Sequence, residues 1–242
     1  LFVAELLDIS YRAGLYDEVL NISTLSGRSG MARYFEGISL LRRTKLKEAS
    51  SALAQVLPND RFYPFAGIAL SQIEVMRHDL DAAVGYLKAL LTQPDINKGP
   101  MAARLHLLLG QLFFEKGAYS EAEEEFAQVT SEALKNDAQI GRAWSLAKQE
   151  SYEKAIPVLK GLSLTTPYSS TEWEIQILNG YCYLKIDKGG RGIDHFKQLL
   201  ETYSRAEDRL DQIIKDETEI RRYRSILVEG VPAQLNAEEQ HY

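Results

Sequence analysis

Apolar positions recur along this 242-residue chain at intervals of three and four, in stretches broken by short polar turns. That period is the one-face pattern of an amphipathic helix. The clearest stretch is Pro100–Lys116, where Leu105, Leu109, Gly110 and Phe113 share a helical face. Pro100 suits a first helical turn, because the N–H it lacks has no partner there. Gly117 is placed to end the helix with a positive φ. Ser120 is expected to cap the next helix, with Glu123 three residues on at capping-box spacing. Ala122 and Phe126 then turn inward.

The same pattern returns. Gly117–Ala122 reads Gly-x-Tyr-x-x-Ala, and weaker copies stand at Gly14–Val19, Thr44–Ala49, His78–Ala83, Glu150–Ala155 and Asp187–Gly192. Their last residues are spaced by 30, 34, 39, 33 and 37. A period near 34 predicts stacked helical hairpins, each burying its apolar face against its neighbours. Turn residues separate the hairpins at Pro58-Asn59-Asp60, Pro94-Asp95 and Pro167-Tyr168-Ser169-Ser170. The segment 95–100 makes one linker longer and accounts for the 39-residue spacing. Pro157 falls inside an expected second helix, where it removes a hydrogen bond and predicts a kink.

The unit His106–Val129 resembles a tetratricopeptide repeat. The matching roles fall to Leu109-Gly110, Phe113, Gly117, Tyr119, Ala122 and Phe126. Small residues at Gly110 and Ala122 let two helices approach closely, and the aromatic rings fill the space around that contact. The second unit carries Gly37, Leu46 and Ala49. The third carries Ser71, Leu80 and Ala83, with a one-residue irregularity expected in its first helix. The fifth carries Ala143, Tyr152 and Ala155, and the sixth Gly180, Gly192 and Phe196, with Gly189 where an aromatic or Leu is expected. The first is the most degenerate.

The resemblance implies an all-α fold, a right-handed superhelical solenoid of about six hairpins, with units at 2–29, 31–60, 61–97, 100–135, 137–168 and 170–204. An amphipathic helix over 205–229 is expected to cap the last unit through Leu210, Ile213, Ile214, Ile220 and Tyr223, followed by a mobile tail over 230–242.

Charge and composition narrow the function. Hydrophobic residues make up 45% and charged residues 26%, as in an ordinary soluble protein. A net charge of −6 argues against a general nucleic-acid binder. The longest apolar run, Leu105–Phe114, is interrupted by His106, Gly110 and Gln111 and falls short of a membrane span. Leu1 in place of Met reads as a processed chain or a piece of a longer one. The lone Cys182 forms no internal disulfide and leaves the compartment open. The partial pattern in "FKQLLETYS" and "TPYSSTEW" resembles bacterial periplasmic repeat proteins, favouring periplasm or envelope over cytoplasm.

Catalytic readings weaken in turn. Gly189-Gly190-x-Gly192 lacks the preceding strand and following Lys-Ser or Lys-Thr of a phosphate loop. His78, His106, His195 and His241 are scattered, and no pair has the spacing that sets two metal ligands on one helix face. No Gly-x-Ser-x-Gly elbow is present. Glu121–Phe126, "EAEEEF", reads as a solvated helix start favoured by the helix dipole. The basic run Arg42, Arg43, Lys45 and Lys47 suits a helix C-terminus or an acidic partner. Asn21-Ile22-Ser23 is a glycosylation tripeptide of a kind that arises readily by chance. No cofactor, metal or catalytic residue is expected.

In the resembled family, first helices line a concave face that holds a ligand. Carried over, its inward positions fall on Tyr34, Ile38, Leu41 and Arg42 in the second unit. They fall on Leu107, Gln111, Phe114 and Glu115 in the fourth, on Ile140, Trp144, Ala147 and Lys148 in the fifth, and on Ile177, Tyr181, Leu184 and Lys185 in the sixth. The paired Lys and Asn by which chaperone-binding members hold a C-terminal carboxylate are missing. An apolar, aromatic groove suits a partner helix or extended peptide anchored by bulky side chains. The leading expectation is a non-catalytic scaffold that binds a protein or peptide. The alternatives are an envelope or assembly component acting through its outer surface, and a non-catalytic arm of a larger enzyme. The terminal helix covering part of the groove is a further alternative.

Overall fold

The computed structural model describes residues 2–26, 29–165, 171–186 and 190–216, with 218, 220 and 221. Among the described residues there are twelve helices and no strand. They are α1 (Phe2–Arg12), α2 (Tyr16–Leu25), α3 (Gly30–Arg42), α4 (Leu46–Leu53), α5 (Tyr63–Met76), α6 (Leu80–Leu91), α7 (Gly99–Glu115), α8 (Tyr119–Ala127), α9 (Glu132–Lys148), α10 (Tyr152–Thr165), α11 (Glu172–Ile186) and α12 (Gly190–Lys215). The chain divides into two compact units, residues 1–165 and 166–242.

In the first unit each odd-numbered helix pairs with the one after it as a hairpin, and each hairpin packs on the next. The first helices also touch in a row, α1 on α3 and α3 on α5, then α7 on α9. The row opens between α5 and α7, which share no comparable packing. This is where the long linker lies, and Ile96 within it is buried in the core. The core accordingly gathers into two clusters. One surrounds Leu7, Phe35, Leu53 and Ile73; the other surrounds Leu87, Leu105, Leu109 and Phe126; Tyr63 packs against both.

The turn inside each hairpin of the first unit is the same device five times. Gly14, Thr44, His78, Gly117 and Glu150 all have φ between 58° and 77°. Around each, two bonds close a Schellman turn. Thr44 N–H donates to the Leu41 carbonyl at 2.9 Å and Lys45 N–H to the Leu40 carbonyl at 3.0 Å. The same pair joins His78 to Val75 and Asp79 to Glu74, Gly117 to Phe114 and Ala118 to Phe113, and Glu150 to Ala147 and Ser151 to Leu146. The left-handed conformation costs a non-glycine residue roughly 1–2 kcal/mol, most for a β-branched one. Glycine's extra unfolded-state entropy offsets about half of that. Thr44→Gly is therefore expected to stabilise the chain by about 0.5–1 kcal/mol. Thermal unfolding should show a rise in Tm for Thr44→Gly and a fall for Gly117→Ala; a Tm lowered by Thr44→Gly would contradict the strain argument.

A second device recurs beside these turns. From the second hairpin on, the residue just before the left-handed position reaches back to the start of the second helix in the preceding hairpin. Arg43 pairs with Asp17, and Lys116 with Asp81. Arg77 donates to the Leu46 carbonyl at 3.3 Å, and Gln149 to the Tyr119 carbonyl at 2.9 Å. Exposed contacts of this kind stabilise little on their own. Their value is in fixing how one hairpin is phased on the next.

Some sequence expectations give way. Ser120 does not cap α8: the helix begins one residue earlier, at Tyr119, with Ala118 at the cap position and no side-chain cap. The left-handed Gly117 already turns the chain into the helix, which leaves Ser120 inside the first turn. Ser29 and Asp79 are caps, accepting from Ala32 N–H at 3.2 Å and Ala82 N–H at 2.9 Å. The irregularity expected in the third unit is absent, since α5 is unbroken from Tyr63 to Met76. Pro157 does lie inside α10, where the sequence places it.

In the second unit, α11 packs on α12. Helix α12 runs through residue 204, where the sequence reading sets a boundary before a separate cap. No Gly or Pro interrupts residues 193–215, and Arg205 pairs with Glu201 one turn earlier at 2.7 Å. Leu210, Ile214 and Ile220 are exposed rather than packed, and Ile213 is half-buried. The tail over 230–242, the turn 167–170, Gly189 and Tyr223 lie outside the described residues.

Candidate functional site

Two depressions mark the first-helix face of the first unit. One lies over α7, α8 and α9, encloses about 380 Å³, and is lined by Gln111, Phe114, Glu115, Phe126, Gly141, Trp144 and Lys148. Its shape follows from one side chain. The Phe126 ring enters between Gly110 of α7 and Gly141 of α9, so close that a Cβ on either would stand 2.5–2.6 Å from ring atoms. Phe126 is 3% exposed and floors the depression. Phe114 is held by an edge contact with Tyr119, ring centroids 5.3 Å apart. Trp144 comes from α9. Glu115 and Lys148 supply one charge of each sign among otherwise apolar walls. The chemistry suits a bulky apolar side chain, with a charge at the rim to orient its backbone.

The second depression, about 400 Å³, spans α1, α3, α5 and the start of α7. Tyr11, Tyr34, Ile38, Leu41, Arg42, Phe65, Gln72, Met76 and Arg104 line it, and no carboxylate does. Tyr34 stacks on Phe62 at 5.1 Å and meets Phe35 edge-on at 5.5 Å, which fixes its ring. The Arg42 Nε donates to the Tyr11 hydroxyl at 3.2 Å. Burial pushes the Tyr34 hydroxyl above its ordinary pKa, and Tyr11 adds to this while Arg104 pulls the other way. Tyr34 therefore keeps its proton at neutral pH and remains a donor.

The groove residues read from the sequence are distributed unevenly. Tyr34, Ile38, Leu41 and Arg42 gather in the second depression, and Gln111, Phe114, Glu115, Trp144 and Lys148 in the first. Leu107 is 8% exposed and belongs to the core, because its position on α7 faces the neighbouring helices rather than the groove. Ala147 is likewise buried, and Ile140 is half-buried outside the depression. In the second unit Ile177 and Tyr181 are exposed, at 45% and 41%, with the Lys185 ammonium 5.4 Å from the Tyr181 ring. Leu184 packs against Gly192 of α12 instead of facing outward. The depression in that unit is a different one, lined by Glu172, Gln176, His195, Gln198, Leu199, Thr202 and Tyr203. There His195 Nε2 lies 2.9 Å from the Gln176 carbonyl.

Tyr11, Phe65, Ile68, Gln72, Met76 and Arg104 are lining residues that the sequence reading missed. The offsets that gave Tyr34 and Ile38 from Gly37, applied to Ser71, land on Ile68, Gln72 and Met76. Applied to Leu7, twelve residues before Val19 as Gly37 is before Ala49, they land on Tyr11.

Other reactive groups have structural partners. His106 Nδ1 lies 2.7 Å from Glu125 Oε2, tying α7 to α8, and Arg142 Nε donates to Glu123 at 2.6 Å, tying α9 to α8. The acidic start of α8 is thus only half solvated: Glu121 and Glu124 face water, while Glu123 and Glu125 cross-link helices. Cys182 is fully buried, and burial pushes its thiol up to about 11, so it stays protonated and unreactive at neutral pH. Among the described residues no group of three His, Cys, Asp or Glu gathers to hold a metal, and no helix is long and apolar enough to cross a membrane.

Residues 68–133 match the family model described as tetratricopeptide repeat. No curated protein matches the chain significantly. Among solved structures, one described as MamA protein aligns with TM-score 0.62 at 15% identity, covering 75% of this chain and 96% of that one. Residues 41 to the end of MamA from Desulfovibrio magneticus RS-1 align with TM-score 0.59 at 17% identity, over 74% and 97%. YrrB, described as a TPR protein with an unusual peptide-binding site, aligns with TM-score 0.54 at 17% identity, over 71% and 89%. At these identities the likeness is one of fold.

Proposed function

We propose that this chain, whose residues 68–133 match the tetratricopeptide-repeat model, is a non-catalytic protein-interaction scaffold whose first-helix face grips a segment of a partner protein. The observation that carries this reading is the pair of depressions on that face, one walled by Phe114, Phe126 and Trp144 and the other by Tyr11, Tyr34 and Phe65. Buried aromatic pockets of this kind are where binding energy concentrates in protein interfaces. The peptide-binding site named for YrrB lies on a fold that this chain shares.

The test is affinity capture from a lysate of the source organism, with wild type beside Trp144→Ala and with circular dichroism confirming that both are folded. The expected result is a partner held by wild type and lost, by about tenfold or more in affinity, on removal of the indole. Equal capture by the two would reject the groove. It would favour assembly through the outer surface, for which the exposed Leu200, Tyr203, Leu210 and Ile214 of α12 are the sequence-encoded candidates.

A further inference from the structure

Resting on that reading, the two depressions differ in a way that names the partner's chemistry. The chain is acidic, with a net charge of −6, yet the depression over α1, α3, α5 and the start of α7 is lined by two arginines, Arg42 and Arg104, and by no carboxylate. Among the described residues neither arginine forms an ion pair. Most other arginines of the first unit do pair, Arg12 with Asp8, Arg33 with Glu36, Arg43 with Asp17, Arg77 with Glu74 and Arg142 with Glu123. Positive charge left uncompensated in a cleft is complementary to a carboxylate. The protonated Tyr34 hydroxyl and the Tyr11 hydroxyl stand beside it as further donors.

Helix α7 links this cleft to the apolar one. Arg104 borders the first and Gln111, two turns on, borders the second. Seven residues of helix rise about 10 Å. With the lateral offset toward α9, half of a helix spacing of 8–10 Å, the separation becomes about 10–15 Å. An extended chain advances about 3.3 Å per residue, so anchors in the two clefts stand about three to five residues apart.

We infer that the partner presents an extended segment with two anchors: an acidic side chain held between Arg42 and Arg104, and, about three to five residues away, a bulky apolar side chain seated on Phe126 beside Trp144.

The experiment pans a displayed library of random 12-residue peptides on the full chain, then measures enriched sequences as synthetic peptides blocked at both ends, by fluorescence anisotropy. The expected consensus pairs Asp or Glu with Trp, Phe or Leu at that spacing. Arg42→Gln/Arg104→Gln should weaken binding about tenfold or more, since bonds to charged groups are the stronger ones. The same variant should lose the preference for the acid and flatten the salt dependence, while Arg42→Lys/Arg104→Lys retains much of the attraction. Circular dichroism controls for folding. A consensus that needs Trp144 but has no acidic position, or an acid preference that survives in the double Gln variant, would overturn the two-anchor inference and leave the groove standing. Enriched peptides indifferent to both the arginines and Trp144, or no enrichment at all, would overturn the groove as well.

Discussion

Phe126→Ala is expected to cost about 3–5 kcal/mol, the range for removing a fully packed aromatic ring. The ring touches three helices, being rooted on α8 and wedged against Gly110 of α7 and Gly141 of α9. Two glycines have no side chain with which to close the gap, so the void left by the ring stays open. For a domain of this size the loss corresponds to a fall in Tm of about 10 °C. Urea titration should show it as a lower midpoint, and the apolar cleft should lose its floor and its ligand together. A loss under about 1 kcal/mol would mean that α7 and α9 collapse onto each other and that the ring is not what spaces them.

The converse substitution should be judged by its partner. In the native background Gly141→Ala drives a Cβ to 2.5 Å from the Phe126 ring, and no rotamer of a ring held between two backbones relieves both contacts. Overpacking of this kind costs about 1–3 kcal/mol. Alanine also gains up to about 1 kcal/mol over glycine in a helix interior. With Phe126→Leu in place the clash goes and the helix gain remains, so Gly141→Ala should turn from destabilising to neutral or stabilising. The double-mutant cycle should give a coupling of about 1–3 kcal/mol. A coupling near zero would show that α9 yields to the methyl group, and that the small residue at 141 reflects something other than ring space.

Phe126 also shows what was legible beforehand. The twelve-residue interval between the small first-helix position and its partner across the turn holds from Gly37 to Ala49, Ser71 to Ala83, Gly110 to Ala122, Ala143 to Ala155 and Gly180 to Gly192. That interval is set by the hairpin itself, so it survives while the spacing between hairpins varies. The left-handed turns were harder to see. Thr44, His78 and Glu150 are poor residues for positive φ, and they adopt it because packing of both flanking helices overrides local preference. On the groove, the offsets from Gly37 land on four residues of one depression, while those from Gly110 and Ala143 land partly in the other and partly in the core. Leu7 is not small, and so Tyr11 was passed over. Arg104 lies six residues before Gly110, outside the offsets altogether; it reaches the cleft from α7, past the point where the row of first helices opens. Leu107 failed for the opposite reason, since an offset gives a direction on one helix but not what the neighbouring helices cover.

That opening between α5 and α7 has a mechanical meaning. Elsewhere along the row, first helix rests on first helix, and each joint is braced twice. At this joint the bracing comes through α6, the buried Ile96 and side chains of α5 such as Tyr63, which packs against both core clusters. Bending concentrates where a beam is thinnest. The arginine cleft straddles this joint, with Arg42 on α3 and Arg104 on α7, while the apolar cleft lies wholly beyond it, so a small change of angle there alters the separation of the two arginines and leaves the aromatic cleft as it is.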